Sequence, residues 1–288
     1  GRLTGLKGFT PLHSFTQILP TAKLPLIPML NVIYFRQAKD LYWFFISIIY
    51  MKPNYKEYIE GTAKVLRESE KESEKYEVEI LGRKFVVYPN VFSPKYFFDT
   101  EFFAKELPVQ KEEDFLEIGP GTGTVSVFAL INGAKHVTAI DINPAAVENT
   151  KENAKLNDVE DKITVLQGDI YSPLSEDDKF DTIFWNTPFG YVEEDVSILE
   201  KAVFDPEYKS TKKFIFEAKN HLKKNGRLLI GFSTTLGKFE ILEEFLNQAG
   251  FKVRCLAKTE SVETHPVLFE LFEAVPSEWS LPKINFSV

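Results

Sequence analysis

The chain has 288 residues, 44% hydrophobic, 14% aromatic and 26% charged, which supports a sizeable buried core and excludes a disulfide-stapled mini-protein. A single cysteine, Cys255, rules out an intramolecular disulfide and a thiolate zinc cluster and points to a reducing, cytoplasmic setting. The net charge of −8 argues against a basic nucleic-acid coat, although residues 1–50 hold Arg2, Lys7, Lys23, Arg36 and Lys39 against Asp40 alone.

Residues 1–75 show apolar residues at helical spacing broken by proline and end in the charged stretch KVLRESEKESEKYE, so a small helical N-terminal domain is expected there. Its most apolar run, LYWFFISIIYM at 41–51, falls short of the ~18–20 residues a membrane helix needs and is read as a buried helical segment. No membrane association is expected. The missing initiator Met fits a fragment or a processed start. From Tyr76 to Tyr88 the pattern becomes alternation around Leu81-Gly82-Arg83, a β-hairpin, and 76–113 is read as this hairpin plus a connecting helix. Beyond 113, strand and helix patterns take turns. Strands are expected at 114–118, 136–141, 162–167, 179–185, 226–232, 251–257 and 267–275, and helices over 123–132, 144–157, 208–224 and 237–249. Alternating units with apolar strands imply an α/β domain over 114–288, a mostly parallel sheet covered on both faces.

The candidate chemistry lies at the carboxyl ends of the first four of these strands. Strand DFLEI runs into Gly119-Pro120-Gly121-Thr122-Gly123 and a helix, a turn whose glycines let backbone approach a ligand where open α/β sheets bind one. The second strand ends in Asp141, followed by Ile142, where a carboxylate can accept both hydroxyl protons of a ribose. The third ends in Gly168-Asp169-Ile170, a second carboxylate on the same edge, within reach of an exocyclic amine. Either aspartate alone could be a turn cap; it is their register on successive strands that points to a site. The fourth strand ends in Trp185-Asn186-Thr187-Pro188-Phe189. There the Asn carbonyl and the next backbone carbonyl can accept the two hydrogens of a planar NH₂ group, while the Phe ring packs on its face, so that nitrogen is fixed for in-line attack. The chemistry needs only the backbone carbonyl of 187, so proline is expected to serve there as well as threonine.

With these motifs, 114–275 resembles the class I S-adenosylmethionine-dependent methyltransferases. Glu117-Ile118-Gly119-Pro120-Gly121-Thr122-Gly123 is similar to their first motif, Asp141 to their ribose acid and Asp169 to the residue beside adenine. Asn186-Thr187-Pro188-Phe189 resembles the Asn-Pro-Pro-Tyr/Phe motif of enzymes that methylate amide or adenine nitrogens. The resemblance implies a Rossmann-like sheet in the order 3-2-1-4-5-7-6, its last strand antiparallel, and S-adenosyl-L-methionine as cofactor, held by Glu117, Gly119, Gly121, Gly123, Asp141, Ile142, Asp169, Ile170 and Asn186. Asn186, Thr187, Pro188 and Phe189 become the candidate catalytic residues. The helical start, the hairpin, and Val91-Phe92-Ser93-Pro94-Lys95 with Asp99-Thr100-Glu101 resemble the release-factor glutamine N5-methyltransferases. Lys95 stands where that group has Arg, two extra residues separate it from Asp99, and Thr187 replaces the first Pro.

His13, His136, His221 and His265 lie in separate elements without metal-ligand spacing, so no metal is expected. The leading expectation is a monomeric N-methyltransferase acting on a glutamine or asparagine amide of a protein, a translation factor or ribosome-associated protein in the resembling group. The competing readings are an adenine-N6 methyltransferase that meets nucleic acid through the basic N-terminal segment, and an inactive interaction protein of the same fold.

Overall fold

The computed structural model describes residues 55–261 and 267–279. The expectations for residues 1–54, including the 41–51 segment, and for His13 and His265 lie outside the described residues.

The first described helix, α1 (Tyr55–Ser69), places Ile59, Ala63 and Leu66 on one face by helical spacing and packs it against Leu199, Val203 and Phe204. Strands β1 (Tyr76–Ile80) and β2 (Arg83–Val87) form an antiparallel hairpin, closed by Leu81 and Gly82, both at positive φ as a two-residue turn of this kind requires. Helix α2 (Asp99–Glu106) follows, then β3 (Asp114–Ile118), α3 (Thr124–Ile131), β4 (His136–Asp141), α4 (Pro144–Leu156), β5 (Ile163–Gln167) and β6 (Phe180–Asn186). A two-stranded parallel pair, β7 (Gly190–Val192) with β8 (Phe204–Pro206), precedes α5 (Lys209–Glu217), β9 (Leu222–Phe232), α6 (Phe239–Gln248), β10 (Phe251–Glu260) and β11 (Leu268–Pro276).

Seven strands make one sheet in the order β10-β11-β9-β6-β3-β4-β5, with β11 antiparallel to both neighbours and the β9-to-β5 strands parallel. Counted along the chain, that order is 3-2-1-4-5-7-6. Because side chains alternate across a pleated strand, β3 and β6 feed two cores. Leu116, Ile118, Ile183 and Trp185 pack with Phe214 and Leu242 on one face, whereas Phe115 and Phe184 pack with Phe103 and Val125 on the other.

One expected helix ends early. The reading of 208–224 as helical fails after α5 and a short 3₁₀ turn, because Leu222 pairs with Phe180 and begins β9. The chain re-enters the ladder through a register shift, with Asn225 at positive φ and no room for a side chain at Gly226, where a Cβ would lie 3.0 Å from Asp181 O.

The hairpin is bound to the sheet layer by asparagines one helical turn apart on α4 and at its C-cap. Asn149 Oδ1 accepts from the Tyr88 N–H (2.9 Å) and Asn153 Oδ1 from the Val86 N–H (2.7 Å), while Asn157 Nδ2 donates to Lys84 O (3.1 Å). This fixes the segment after β2, which carries Phe92 and Asp99 to the carboxyl edge of the sheet. Among the described residues no helix is long and apolar enough to cross a membrane.

Candidate active site

The Gly119–Gly123 turn leaves β3 with all three glycines at positive φ. At Gly119 (φ +63°) a Cβ would sit 3.0 Å from Trp185 Nε1, and at Gly123 (φ +76°) it would sit 2.8 Å from Thr150 Cγ2, so a side chain at either position is strained by its backbone and crowds a neighbour. Asp141, buried at the end of β4, accepts from the Gly121 N–H at Oδ2 (3.1 Å) and the Asn143 N–H at Oδ1 (2.9 Å). Each carboxylate oxygen thus braces backbone and keeps a further lone pair for a ligand hydroxyl. Burial pushes its pKa up to about 6 against the pull of these backbone donors. Glu117 is deeper still. Among the described residues it accepts from the Ser126 hydroxyl, and burial pushes it up to about 8, so it holds a proton at neutral pH.

The third strand end differs in character. Asp169 is exposed, and its carboxylate pairs with Lys213 (2.8 Å). Ile170 is buried with φ +57°, a conformation a β-branched residue adopts only under constraint.

At the fourth strand end, Asn186 Nδ2 donates to Asp99 Oδ2 (2.8 Å) across 87 residues of chain. Asn186 Oδ1 is buried with no hydrogen-bond partner, as is Asp99 Oδ1. Thr187 spends both its donors on one acceptor: its N–H (3.1 Å) and its hydroxyl (2.8 Å) both reach Gly231 O. Position 187 therefore does use a donor, contrary to the expectation that proline would serve equally well, and the hydroxyl belongs to the fold. Phe189 stands edge-on to Phe232 and Phe269, and its carbonyl accepts from the Tyr208 hydroxyl.

Two cavities meet at this point. The first is lined by Glu117, Gly119, Gly121, Asp141, Ile142, Asp169, Ile170, Trp185, Asn186 and Pro188. The second, largely aromatic, lies between α1 and the sheet edge, with Tyr96, Phe97, Asp99, Thr187, Phe189 and Phe269 in its walls. Phe92, Asn186, Ala202 and Phe204 line both. The structure so brings the expected cofactor residues to one cavity and places Phe189 and Thr187 on the other, with Asn186 at the junction. Gly123 is absent from the lining; its place is packing against α4.

The first cavity suits an adenosyl sulfonium compound. Its glycine turn is a cradle that side chains would fill, and buried Asp141 offers acceptors to ribose hydroxyls and a negative charge to a cationic ligand. Sequence reasoning gave Asp99 no role, although the Asp99-Thr100-Glu101 stretch was the available signal. Lys95 lies elsewhere, its ammonium paired with Glu72 beside the Tyr76 and Tyr96 rings. The described histidines are structural. His136 meets Thr164 Oγ1 (3.1 Å), and His221 stacks on Tyr171. Among the described residues no group of three or more His, Cys, Asp or Glu side chains could hold a metal ion.

Residues 82–260 match the family model described as methyltransferase small domain. Over 186 residues the chain is 37% identical to a Methanocaldococcus jannaschii protein named as a candidate protein N5-glutamine methyltransferase, which covers 63% of this chain and 91% of that one. It is 36% identical over 193 residues to the release factor glutamine methyltransferase of Aquifex aeolicus, spanning 62% of this chain and 66% of that enzyme. Among solved structures, the tRNA m1G37 methyltransferase of M. jannaschii aligns with a TM-score of 0.51 at 22% identity, over 71% of this chain and 55% of that chain. At that identity the likeness is one of fold.

Proposed function

The chain belongs to the methyltransferase small domain family, whose methyl donor is S-adenosyl-L-methionine, and from this premise we propose that it methylates the side-chain amide nitrogen of a glutamine in a protein. The observation that carries this reading is Asn186, which lines both cavities and whose Oδ1 is buried and unpartnered. S-adenosylmethionine supplies a methyl group already activated on a sulfonium.

The chain's own residues supply position. Asn186 Oδ1 accepts one hydrogen of the planar NH₂ group, and the carbonyl of residue 187 accepts the other. That aims the nitrogen from the second cavity toward the first. Pro188 stiffens the turn, and Phe189, wedged edge-on between Phe232 and Phe269, offers an aromatic wall to the flat amide. A nitrogen that has gained a methyl group sheds its proton readily, so no strong base is required. Glu117, Gly119, Gly121, Asp141, Ile142, Asp169 and Ile170 frame the donor side, with Gly123 holding the turn against α4.

In this reading 114–288 carries the chemistry, 76–113 frames the acceptor, and 1–75 meets the protein substrate, which is supported by α1 forming one wall of the second cavity. The names of the two relatives support glutamine as the acceptor, and the Aquifex aeolicus enzyme points to a translation factor. An exposed free thiol at Cys255 supports a reducing cytoplasmic setting, and we take the enzyme to act as a monomer.

The test is transfer of labelled methyl from S-adenosylmethionine into lysate protein, with the modified residue identified by mass spectrometry after enzymatic digestion. Methylated glutamine is expected, with Asn186→Ala lowering single-turnover transfer by about 100-fold while cofactor affinity changes little. Label that appears only in RNA and is removed by nuclease overturns the protein-substrate reading.

A further inference from the structure

We infer that Asp99 is a positioning residue for methyl transfer: its buried carboxylate holds the Asn186 amide in the one orientation that presents Oδ1, rather than the NH₂ group, to the acceptor nitrogen. The inference rests on the reading of Asn186 given above and deepens it.

A primary amide is nearly symmetric in shape, and a half-turn about its last bond exchanges an acceptor for two donors. At Asn186 that exchange decides function, because an NH₂ group facing the acceptor's own NH₂ group would set donor against donor. Packing cannot choose between the two orientations. A carboxylate can, since it only accepts, and Asp99 Oδ2 takes the Nδ2 hydrogen at 2.8 Å. The opposite orientation would press Asn186 Oδ1 against the Asp99 carboxylate, oxygen against oxygen, in a site where both residues bury unpartnered oxygens.

The cost of this arrangement indicates a role beyond stability. Asp99 is 2% exposed, opens the first turn of α2, and leaves Oδ1 without a partner, while the residue it serves is likewise left with an orphaned acceptor. An acceptor left unpaired and buried on Asn186 costs stability as it stands. The Asn186 oxygen is accounted for when an NH₂ group enters from the second cavity, which both residues line; the other hydrogen of that group goes to the carbonyl of residue 187, so Asp99 acts through Asn186 alone. Burial raises the Asp99 pKa to about 6, which leaves the carboxylate mostly ionised at neutral pH, the form this role needs.

Asp99→Ala and the near-isosteric Asp99→Asn, each alone and combined with Asn186→Ala, form the test. The readouts are single-turnover transfer to the lysate protein substrate at saturating cofactor and cofactor affinity by calorimetry, with folding checked by circular dichroism. Asp99→Ala is expected to slow transfer by about 10–100-fold with cofactor affinity within about two-fold, and Asp99→Asn, which keeps an oxygen for Nδ2, to recover part of the rate. In the Asn186→Ala background neither substitution should slow transfer further, because there is no amide left to orient. Losses that multiply, or wild-type rates in both folded Asp99 variants, overturn the inference. Should Asp99→Ala fail to fold, Asp99→Asn and its double variant decide the question alone, by a loss that vanishes or persists without Asn186. A wild-type rate in Asn186→Ala itself would instead overturn the nitrogen-methylation reading.

Discussion

The Tyr55 hydroxyl closes a two-way bridge to one residue of β7, five residues after Asn186: it accepts from the Tyr191 N–H at 2.5 Å and donates to Tyr191 O at 3.2 Å. A single phenol on α1 thereby ties the wall of the second cavity to β7, which continues directly from Phe189. Lys238 adds to the tie, its ammonium 3.6 Å from the Tyr191 ring centre and 5.6 Å from that of Tyr55. Burial pushes the Tyr55 pKa up to about 12, so the hydroxyl keeps its proton and can make both bonds at once.

Tyr55→Phe is expected to cost about 1–3 kcal/mol of stability, since it leaves two backbone groups of Tyr191 without their partner. Methyl transfer should fall more than cofactor affinity does, because the loosened loop carries the acceptor side. Denaturant unfolding together with single-turnover transfer checks this; equal losses in rate and affinity would contradict it.

The glycines of the turn should fail in different ways. Gly123→Ala combines positive φ with a Cβ 2.8 Å from Thr150 Cγ2 and is expected to cost about 2–4 kcal/mol of stability. Gly121→Ala meets nothing closer than Phe92 O at 3.9 Å, so it pays mainly the backbone penalty of about 1–2 kcal/mol and puts its methyl group into the cavity. Unfolding should rank Gly123→Ala as the more damaged variant, and calorimetry should show Gly121→Ala the more impaired in binding once both are folded.

Glu117 makes cofactor binding a proton-linked event. Its pKa stands at about 8 in the fold because burial disfavours the carboxylate, so the stability advantage of its protonated form is complete below about 4.5 and is lost as pH rises toward 8. A cationic ligand in the same cavity favours ionisation instead. Binding near pH 7 should therefore release protons, and affinity should rise between pH 6 and 8. Calorimetry in buffers of different ionisation enthalpy measures the release directly, and Glu117→Gln should abolish its Glu117 component.

Thr187→Val removes the hydroxyl bond to Gly231 O and keeps the N–H bond, so a loss of about 1 kcal/mol is expected with transfer within a few-fold of the parent. Thr187→Pro removes both donors and should destabilise more. A large rate loss in a stable Thr187→Val protein would return the hydroxyl to the substrate side.

How far the sequence could be read follows from which contacts are local. The glycine turn, Asp141 and Asn186 are strand-end features, and strand ends of one parallel sheet share an edge whatever the details of packing. Leu222 was misread because Phe214, Ile215 and Ala218 set up a helical period that its own spacing continues, and only its pairing with Phe180 reveals a strand. The contacts of Asp99 and Tyr55 were hidden for a different reason: their partners lie 87 and 136 residues away, and each contact joins an element outside the sheet to the end of β6 or to β7. Lys213 was read only as part of a helix, and its pairing with Asp169 needs the third strand end and α5 side by side.

Strand β10 ends the sheet among the described residues, ten residues long and paired only with β11. A strand of that length with no further described partner is the kind of edge on which a second chain could add. Here the ladder with β11 slips between Cys255 and Ala257, and Lys252, Lys258 and Glu260 stand exposed along the strand. A kink, and Lys252 and Lys258 meeting across an antiparallel copy, both oppose edge-to-edge pairing along this described flank.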